Sequence, residues 1–517
     1  MQNVIGTGRA ELVCALTGER SERLETASGS LLLYRRHWFE RRSRAWQRGS
    51  VRAAFAEVPI LETNARSASE PTLTQLCQLD LDFVLQFDAT AFPPELVRLT
   101  RFGIWSYDFD REALPCFGEV VAGSDRTEAR LERLAETGKP DAILFRGWFG
   151  TCKASWVNNF DRVASGAAEF AARVCNQFAL GIRTAPNEQL AEARVEQADP
   201  FSFARPGMRD AMARMSTHAL GKLWELLFHL EIWNVGFCAR TVAEIVRRGA
   251  LGPEPIRWCS PHTPGHLIAD PFAFERDGIE HLLVEEYPQG GKGTICRVVN
   301  SAGAGLELQT EIEEPFHLSY PYVFESEGEL YCVPESYQAR AVRLYRRLGN
   351  HWQYEADLLT GVPLVDPTLF EHDGLYWILG SRQDDGAWGN LNLYAFYAHS
   401  LRGPYQPHPL NPVKCDIGSS RPAGRPILVD GQLFRPAQDC SRTYGGALVL
   451  NRIVKLSPTE YEELPQVRLE PRSNWPYASG LHTLNATRSG SVIDAKAFVF
   501  DVFAWRKNWT RLHEVLR

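Results

Sequence analysis

No run of about 20 apolar residues occurs in the chain, so nothing in the sequence reads as a helix crossing a bilayer. The longest strongly apolar stretch, Leu223 to Trp233, is broken by Glu225, His229 and Glu231. The start, Met1-Gln-Asn-Val-Ile-Gly-Thr-Gly, has no basic segment leading into an apolar one, and no secretory signal is expected. Cysteine pairs are missing as well. The 11 cysteines are scattered without a Cys-x-x-Cys or a finger spacing, and Cys259, Cys332 and Cys440 sit beside strand-like runs as buried free thiols. A reduced, cytoplasmic compartment is the expectation. Neither sign of charge dominates: 56 basic against 63 acidic residues leave −7, which gives no reason to expect a nucleic-acid partner. There is no P-loop, no Gly-x-Gly-x-x-Gly after a strand, no His-Glu-x-x-His and no Gly-x-Ser-x-Gly. The 13 histidines form no metal pair by spacing, and neither metal nor cofactor is expected.

What is present is ordinary globular composition in 517 residues, enough for two to four domains of about 150 residues. Residues 1–190 alternate short apolar runs with helical patterns. Ala10 to Leu16, Leu81 to Phe87, Gly103 to Tyr107 and Ala142 to Gly147 read as strands, and a helix starts at Ala91-Phe-Pro-Pro. That alternation predicts an α/β layer domain. Residues 191–254 read as a polar linker at 191–200 and then a helical bridge from Met208 to Arg248, interrupted at Asn234-Val-Gly236. From 255 to 517 the texture is all-β and repetitive.

The repeat is a strand, an acidic residue followed by Gly, and a second strand. It runs from Ile268-Ala-Asp-Pro-Phe, from Leu318-Ser-Tyr-Pro-Tyr, from Leu364-Val-Asp-Pro-Thr and, more weakly, from Ser420-Arg-Pro-Ala. Gly at the turn supplies the positive φ of a tight hairpin. The prolines at 271, 321, 367 and 422 are 50, 46 and 55 residues apart, and a fifth unit starts at Gly480-Leu-His. Units of about 50 residues built this way are propeller blades. A jelly roll would not repeat the x-Pro signature, so the expectation is a five-bladed propeller.

Equivalent positions of a propeller converge on its channel. The residue before each proline is Asp270, Tyr320, Asp366 and Arg421, and second strands add Glu285, Glu286 and Glu335. Asp270, Glu335 and Asp366 are the candidate catalytic residues, because glycosidic-bond chemistry needs one carboxyl as proton donor and another as base or nucleophile. Glu286, His317, Tyr320, Arg421, Arg425, Arg435, Gln438, Asp439 and His482 are the candidate substrate-binding residues. The density of guanidinium at Arg421, Arg425, Arg435 and Arg442 predicts that anionic ligand groups are read there.

Ile-Ala-Asp-Pro-Phe at 268–272, Phe-His-Leu-Ser-Tyr-Pro-Tyr-Val-Phe-Glu at 316–325, Pro-Glu-Ser at 334–336 and Arg-Pro-Ala-Gln-Asp-Cys at 435–440 carry a resemblance. Through them residues 257–510 resemble the N-terminal propeller of plant glucosamine inositolphosphorylceramide transferases and their bacterial relatives. In those transferases the sugar-transfer domain is a separate C-terminal unit, which is not expected in this chain. More distantly the region resembles five-bladed arabinanases and β-xylosidases, which use an Asp base, an Asp that modulates pKa and a Glu acid. Asp270 matches the base, Glu335 and Asp366 are the candidates for the other roles, and Tyr320 stands where an Asp would be expected. Leu99 to Asp108 and Leu131 to Lys139 resemble the formyltransferase N-terminal domain. There Ser106, Asp108 and Lys139 replace the family's Asn, His and Asp, and the first strand-helix unit is lacking, which implies a Rossmann-like fold kept without its chemistry.

The functional expectation is a carbohydrate-active protein that cleaves or transfers a glycosyl group on a glycan or glycolipid, in the propeller channel. A non-catalytic glycan-binding scaffold beside glycosyltransferase partners is the alternative, and amino-sugar N-formylation is a distant third. Arg35, Arg36, Arg41, Arg42, Arg44, Arg48 and Arg52, interleaved with Trp38, Phe39 and Trp46, read as a solvated helix face with the tryptophans packed inward, or as a contact with an anionic membrane or a phosphate-bearing substrate.

Overall fold

The structure is a computed structural model that describes residues 11–12, 15–18, 39–45, 60–63, 70–87, 92, 94–111, 114–182, 208–259, 266–288, 291–300 and 306–508. The expected linker at 191–200 lies outside the described residues, as do Arg35, Arg36, Trp38, Trp46, Arg48 and Arg52 of the basic aromatic segment. Of the rest of that segment, Phe39 is buried and Arg41, Arg42 and Arg44 are exposed. Among the described residues no helix is long and apolar enough to cross a membrane. The chain divides into two compact units, Met1–Leu220 and Gly221–Arg517.

In the front unit Ala15–Gly18 (β1) pairs in parallel with Ile60–Thr63 (β2). A second sheet holds Val84–Gln86 (β3), Ile104–Tyr107 (β4), Arg126–Leu134 (β5) and Pro140–Gly150 (β6) in that order. Only β3 and β4 run parallel in it. Two of its three strand pairs are antiparallel, so the sheet does not bear out the expected Rossmann-like layer. β5, unassigned from the sequence, closes a long hairpin with β6 through a turn in which Gly138 takes φ 72° and donates to Ala135 O. Helices Trp156–Ala167 and Phe170–Ala179 bury Trp156, Phe160, Val163, Phe170 and Val174 at helical spacing.

The second unit is a propeller. Its chain begins with His229–Cys238 (β7) and Arg257–Trp258 (β8). The first sheet then follows as His266–Arg276, Ile279–Pro288, Thr294–Asn300 and Glu307–Ile312 (β9–β12). The second is Ser319–Ser326, Glu329–Glu335, Ala341–Leu348 and His351–Thr360 (β13–β16). The third is Leu364–His372, Leu375–Arg382, Asn392–Ala398 and Gln406–Pro407 (β17–β20), with Lys414–Cys415 (β21) also on β19. The fourth is Ile427–Val429, Gln432–Asp439, Ala447–Leu456 and Tyr461–Leu469 (β22–β25). The fifth pairs Gly480–Thr487 (β26) with Gly490–Phe500 (β27), and then takes β7 and β8 from the start of the unit. β9 lies against β13 and β26, β13 against β17, and β23 against β26.

The hairpin code reads out as expected. Asp277-Gly278, Glu327-Gly328, Asp373-Gly374 and Asp430-Gly431 all have both residues at positive φ. The helical bridge does not. The helix Met208–Phe228 stops, and His229–Cys238 runs as a strand along the whole of β27, from Phe500↔His229 to Ser491↔Cys238. Ile232, Trp233, Val235 and Phe237 are strand-forming residues, and pairing with β27 decides their state. Gly236 lets β8 close on β7, since a Cβ there would stand 2.5 Å from the Ile256 side chain and 2.8 Å from that of Trp258. The expected start of the propeller at 255 thus cuts through the fifth sheet.

A fragment of residues 221–517 should unfold in one cooperative thermal transition, whereas 250–517 lacks β7 and leaves β27 as an unpaired edge. The shorter fragment should be insoluble or melt without cooperativity. An equally high and sharp melting transition for both would refute the closing role of β7.

Candidate functional site

Three sheets build the same irregularity. Ala269 pairs with Glu285 and Phe272 with Leu283, so Asp270 and Pro271 together face one residue. Ser319↔Glu335 with Tyr322↔Val333, and Val365↔Ser381 with Thr368↔Leu379, repeat the bulge at Tyr320 and Asp366. Asp270, Tyr320 and Asp366 have φ of 51°, 45° and 51°, a left-handed conformation that a non-glycine residue adopts only when its surroundings hold it there. In the fifth sheet the register shifts between Leu481 and Thr483, which makes His482 the counterpart. In the fourth, Arg421 precedes Pro422, which bridges to Ala437. The corresponding positions of the five sheets are therefore Asp270, Tyr320 and Asp366 at bulges, His482 at a register shift, and Arg421 just before the Pro422 bridge.

A bulge leaves its amide out of the ladder, and a buried N–H needs a partner. Here carboxylates of the preceding sheet supply it. Asp270 N donates to Asp494 Oδ2 at 2.8 Å, Tyr320 N to Asp270 Oδ2 at 3.2 Å, and Asp366 N to Glu335 Oε2 at 2.9 Å. The remaining lone pairs are also engaged. Thr483 Oγ1 donates to Asp270 Oδ1 at 2.8 Å. Arg421 Nε reaches Asp366 Oδ2 at 2.5 Å, and Gln438 Nε2 donates to the same oxygen at 2.9 Å. Arg421 also donates to Asn390 Oδ1 and to the Tyr444 hydroxyl. The Tyr320 hydroxyl accepts from Gly424 N at 2.7 Å and meets Thr368 Oγ1 at 2.9 Å.

His482 stands between two acids, with Nδ1 2.7 Å from Asp494 Oδ2 and Nε2 3.3 Å from Asp270 Oδ1. Trp233 packs on its ring at a centroid distance of 4.4 Å. These three residues are also the one cluster, among the described residues, whose ligand atoms lie within 4.8 Å of each other as a metal site would need. Their sequence spacing could not show it. The geometry suits an imidazolium better than an ion, because both ring nitrogens already face carboxylates as donors. Burial opposes the charge on His482, but Asp494 and Asp270 outweigh it and raise the ring to about 9. Burial likewise pushes Asp270 and Asp366 up to about 6, moderated by His482 for the first and Arg421 for the second. Glu335 is raised by burial against the pull of Arg421, and Glu285 is raised well above the carboxylate range by burial and then by Asp270 and Glu335.

The other expected residues divide. His317 and Gln438 join the cluster. Glu286 does not: the channel side of β10 is taken by Glu285, and the Glu286 carboxylate meets His266 Nδ1 at 3.0 Å and Cys296 Sγ at 3.3 Å. Arg435 is wholly buried within the fourth sheet, paired with Glu463 at 2.5 and 2.8 Å and donating to the carbonyls of Ser419 and Ser420. Although burial opposes it, Arg435 and Lys414 hold Glu463 down at about 2. Arg425 donates to Val323 O, Arg442 to Glu470, and Asp439 accepts from Arg468. The expected anion-reading guanidiniums are thus engaged with protein groups, Arg421 included. In the front unit Ser106 is buried in β4, Asp108 accepts from the backbone and side chain of Arg130, and Lys139 is exposed in the β5–β6 turn. Sequence reading missed Asp494, Trp233, Tyr444 and Asn390. Trp233 was hidden by the helical reading of 229–238, and Asp494 had only its place opposite Thr483 to mark it.

Residues 255–493 match the family model described as glucosamine inositolphosphorylceramide transferase 1, N-terminal. Glucosamine inositolphosphorylceramide transferase 1 of Oryza sativa subsp. japonica is 34% identical over 225 residues, 41% of this chain and 30% of that protein. The protein of the same name in Arabidopsis thaliana is 34% identical over 224 residues, 41% of this chain and 29% of its own. The chain spans less than a third of the length of these curated relatives. Among solved structures, a family 117 glycoside hydrolase of Zobellia galactanivorans has a TM-score of 0.33 at 12% identity, covering 54% of this chain and 92% of that one. An exo-β-1,3-galactanase from Clostridium thermocellum has a TM-score of 0.31 at 12% identity, covering 40% and 52%. Likeness at that level carries no chemistry.

Two outcomes follow from these contacts. Arg435→Ala removes the two-pronged partner of buried Glu463 and leaves it Lys414 and the Tyr461 hydroxyl, and should cost about 3 kcal/mol in chemical denaturation; a loss under about 1 kcal/mol would show that the pair does not hold the sheet. For His482 the folded pKa lies above the ordinary 6.5, so its stabilisation is complete below about 6.5 and is lost as pH rises through about 9. The melting temperature should fall across that interval, and His482→Gln should flatten the fall. An unchanged slope in the variant would remove His482 from the balance.

Proposed function

We propose that the propeller channel processes a glycosyl group of a glycan or glycolipid by acid–base chemistry at the glycosidic bond. The observation that carries this reading is the convergence of buried carboxyls from separate sheets whose proton affinities burial raises, to about 6 for Asp270 and Asp366. Asp270, raised to about 6, is ionised at neutral pH and serves as the base. Glu335, raised by burial, is a candidate acid, and Asp366 sets the field between them with Arg421 on its outer oxygen. Trp233 and Tyr444, beside His482, offer faces on which a sugar ring can stack. The match of residues 255–493 to the N-terminal region of transferases named for a glycolipid supports a glycolipid as the first substrate class to try.

A second reading, glycan binding without turnover, is favoured by one contact: Asp366 is held by Arg421 and Gln438 together, as a structural carboxylate would be. In the front unit the formyltransferase likeness remains part of the proposal as a fold without formyl transfer, since Asp108 is spent on Arg130.

The full chain should turn over at least one member of a panel of chromogenic glycosides and glycolipids. Asp270→Asn, whose amide can accept from Tyr320 N and donate to the Thr483 hydroxyl, should lose roughly 10²–10⁴-fold in rate while still folding. Because the base must be ionised, wild-type activity should fall as pH drops through about 6. Retention of glycans without turnover would establish the second reading, and an unchanged Asp270→Asn rate would take Asp270 out of the chemistry.

A further inference from the structure

Glu285 differs from the other four channel carboxylates. Its side chain is 13% exposed, against 6% for Glu335, 4% for Asp270, 2% for Asp366 and 0% for Asp494. Among the described residues it is also the one with neither a cationic clamp nor the amide of a neighbouring bulge on it. Among the described residues its partner is His317, whose Nε2 lies 3.4 Å from Glu285 Oε1.

The position of His317 is itself built. Gly293 N donates to His317 Nδ1 at 2.8 Å, so the neutral ring carries its proton on Nε2, the nitrogen that faces Glu285. The backbone is pinned on both sides, as Leu318 N donates to Gly293 O and His317 N to Gln338 Oε1. Residue 293 has to be glycine. A Cβ there would come 2.4 Å from Leu318 O, 2.7 Å from Glu285 Oε1 and 2.7 Å from the His317 ring. Burial lowers His317 below its ordinary value, so it meets Glu285 as a neutral donor rather than as a counter-ion.

We propose that Glu285 is the proton donor of the channel and that His317, held by the Gly293 backbone, is its positioning residue. This rests on the glycosyl-processing reading above and assigns the acid role to Glu285 in place of Glu335. With His317 N–H on Oε1, the carboxyl keeps its proton on Oε2. Asp270, Glu335, Asp494 and Asp366 face it from β9, β14, β27 and β17, and burial together with their charge raises its proton affinity well above the ordinary carboxylate value. In the step, the Oε2 proton passes to the glycosidic oxygen while that oxygen's bond to the anomeric carbon breaks and the electron pair stays with it. Water or an acceptor hydroxyl forms the new bond to the anomeric carbon and gives its proton to Asp270. Glu335, tied to Asp366 N and 4.0 Å from Arg421, is then a structural carboxylate.

Leaving groups separate a proton donor from a residue that only shapes the channel. The probes are a methyl and a 2,4-dinitrophenyl glycoside of one sugar that the full-length wild type turns over. Glu285→Gln should lose about a hundredfold or more on the methyl glycoside and under tenfold on the dinitrophenyl one, whose departing oxygen needs no proton. The alkaline limb of the methyl-glycoside pH profile should vanish with it. His317→Ala should show a smaller loss of the same pattern, and His317→Gln should recover part of it. If Glu285→Gln folds poorly, Glu285→Asp and the protonated-carboxyl infrared band of the substrate-free wild type at neutral pH serve instead. Equal losses on both glycosides, no loss, that pattern in Glu335→Gln, or absence of the infrared band would overturn the proposal while leaving glycosyl processing intact. A wild type inert toward every glycoside and glycolipid overturns both.

Discussion

The propeller is closed around carboxylates that accept the amides of their neighbours' bulges. Asp494 of the fifth sheet takes Asp270 N of the first, Asp270 takes Tyr320 N of the second, and Glu335 of the second takes Asp366 N of the third. The fourth sheet joins through Arg421 on Asp366 and through Leu484 N on Ala423 O of its own chain run. Each bulge pulls one residue out of its ladder and turns it into the channel, and each freed amide would be a buried orphan without the acid beside it. Ring closure and acid density are therefore one constraint. The sheets cannot be stitched this way without several carboxyls being brought together out of water.

Such a cluster is costly unless it is balanced, and the balance is local. His482 answers Asp494 and Asp270, and Arg421 answers Asp366. Lys496 is buried beside Trp233 and Tyr444 and lies 3.5 Å from Glu231. Where no cation stands among the described residues, as at Glu285, burial and neighbouring charge raise the carboxyl's proton affinity well above its ordinary value. One side of the channel is thus clamped by His482 and Arg421, and the other holds a carboxyl of higher proton affinity. A structural need for amide acceptors has produced groups of unequal proton affinity side by side, which is the raw material of acid–base catalysis.

The sequence disclosed the hairpins and the repeat because both rest on short-range chemistry. Asp-Gly and Glu-Gly mark turns whatever lies around them, and the spaced prolines marked three bulges that the structure contains. It did not disclose parity. Side chains alternate along a strand, and a bulge resets which of two adjacent acids faces inward, so Glu285 and Glu286 were indistinguishable until the register was known. Arg435 read as channel-facing for a similar reason, since its partners Glu463 and Lys414 are distant in the chain and nothing local announces them. In the front unit β5 stayed hidden because its charged residues alternate with apolar ones, as a helix face or an exposed hairpin would equally show.

The strand His229–Cys238 ties these points together. It comes from before the first sheet and pairs with β27, at a sequence separation of more than 250 residues, so this contact carries the largest loop-closure cost in the unit. It also brings Trp233 onto the ring of His482, and Asn234 Nδ2 onto Cys259 O and the Tyr477 hydroxyl. His482, Asp494 and Thr483 of the same sheet complete the shell of Asp270. The acids of the first three sheets can be laid down by local hairpins, but their protonation states depend on the sheet that forms by long-range pairing. The site therefore acquires its electrostatics only when the ring closes, and a change that weakens β7 acts on the chemistry of Asp270 without touching it.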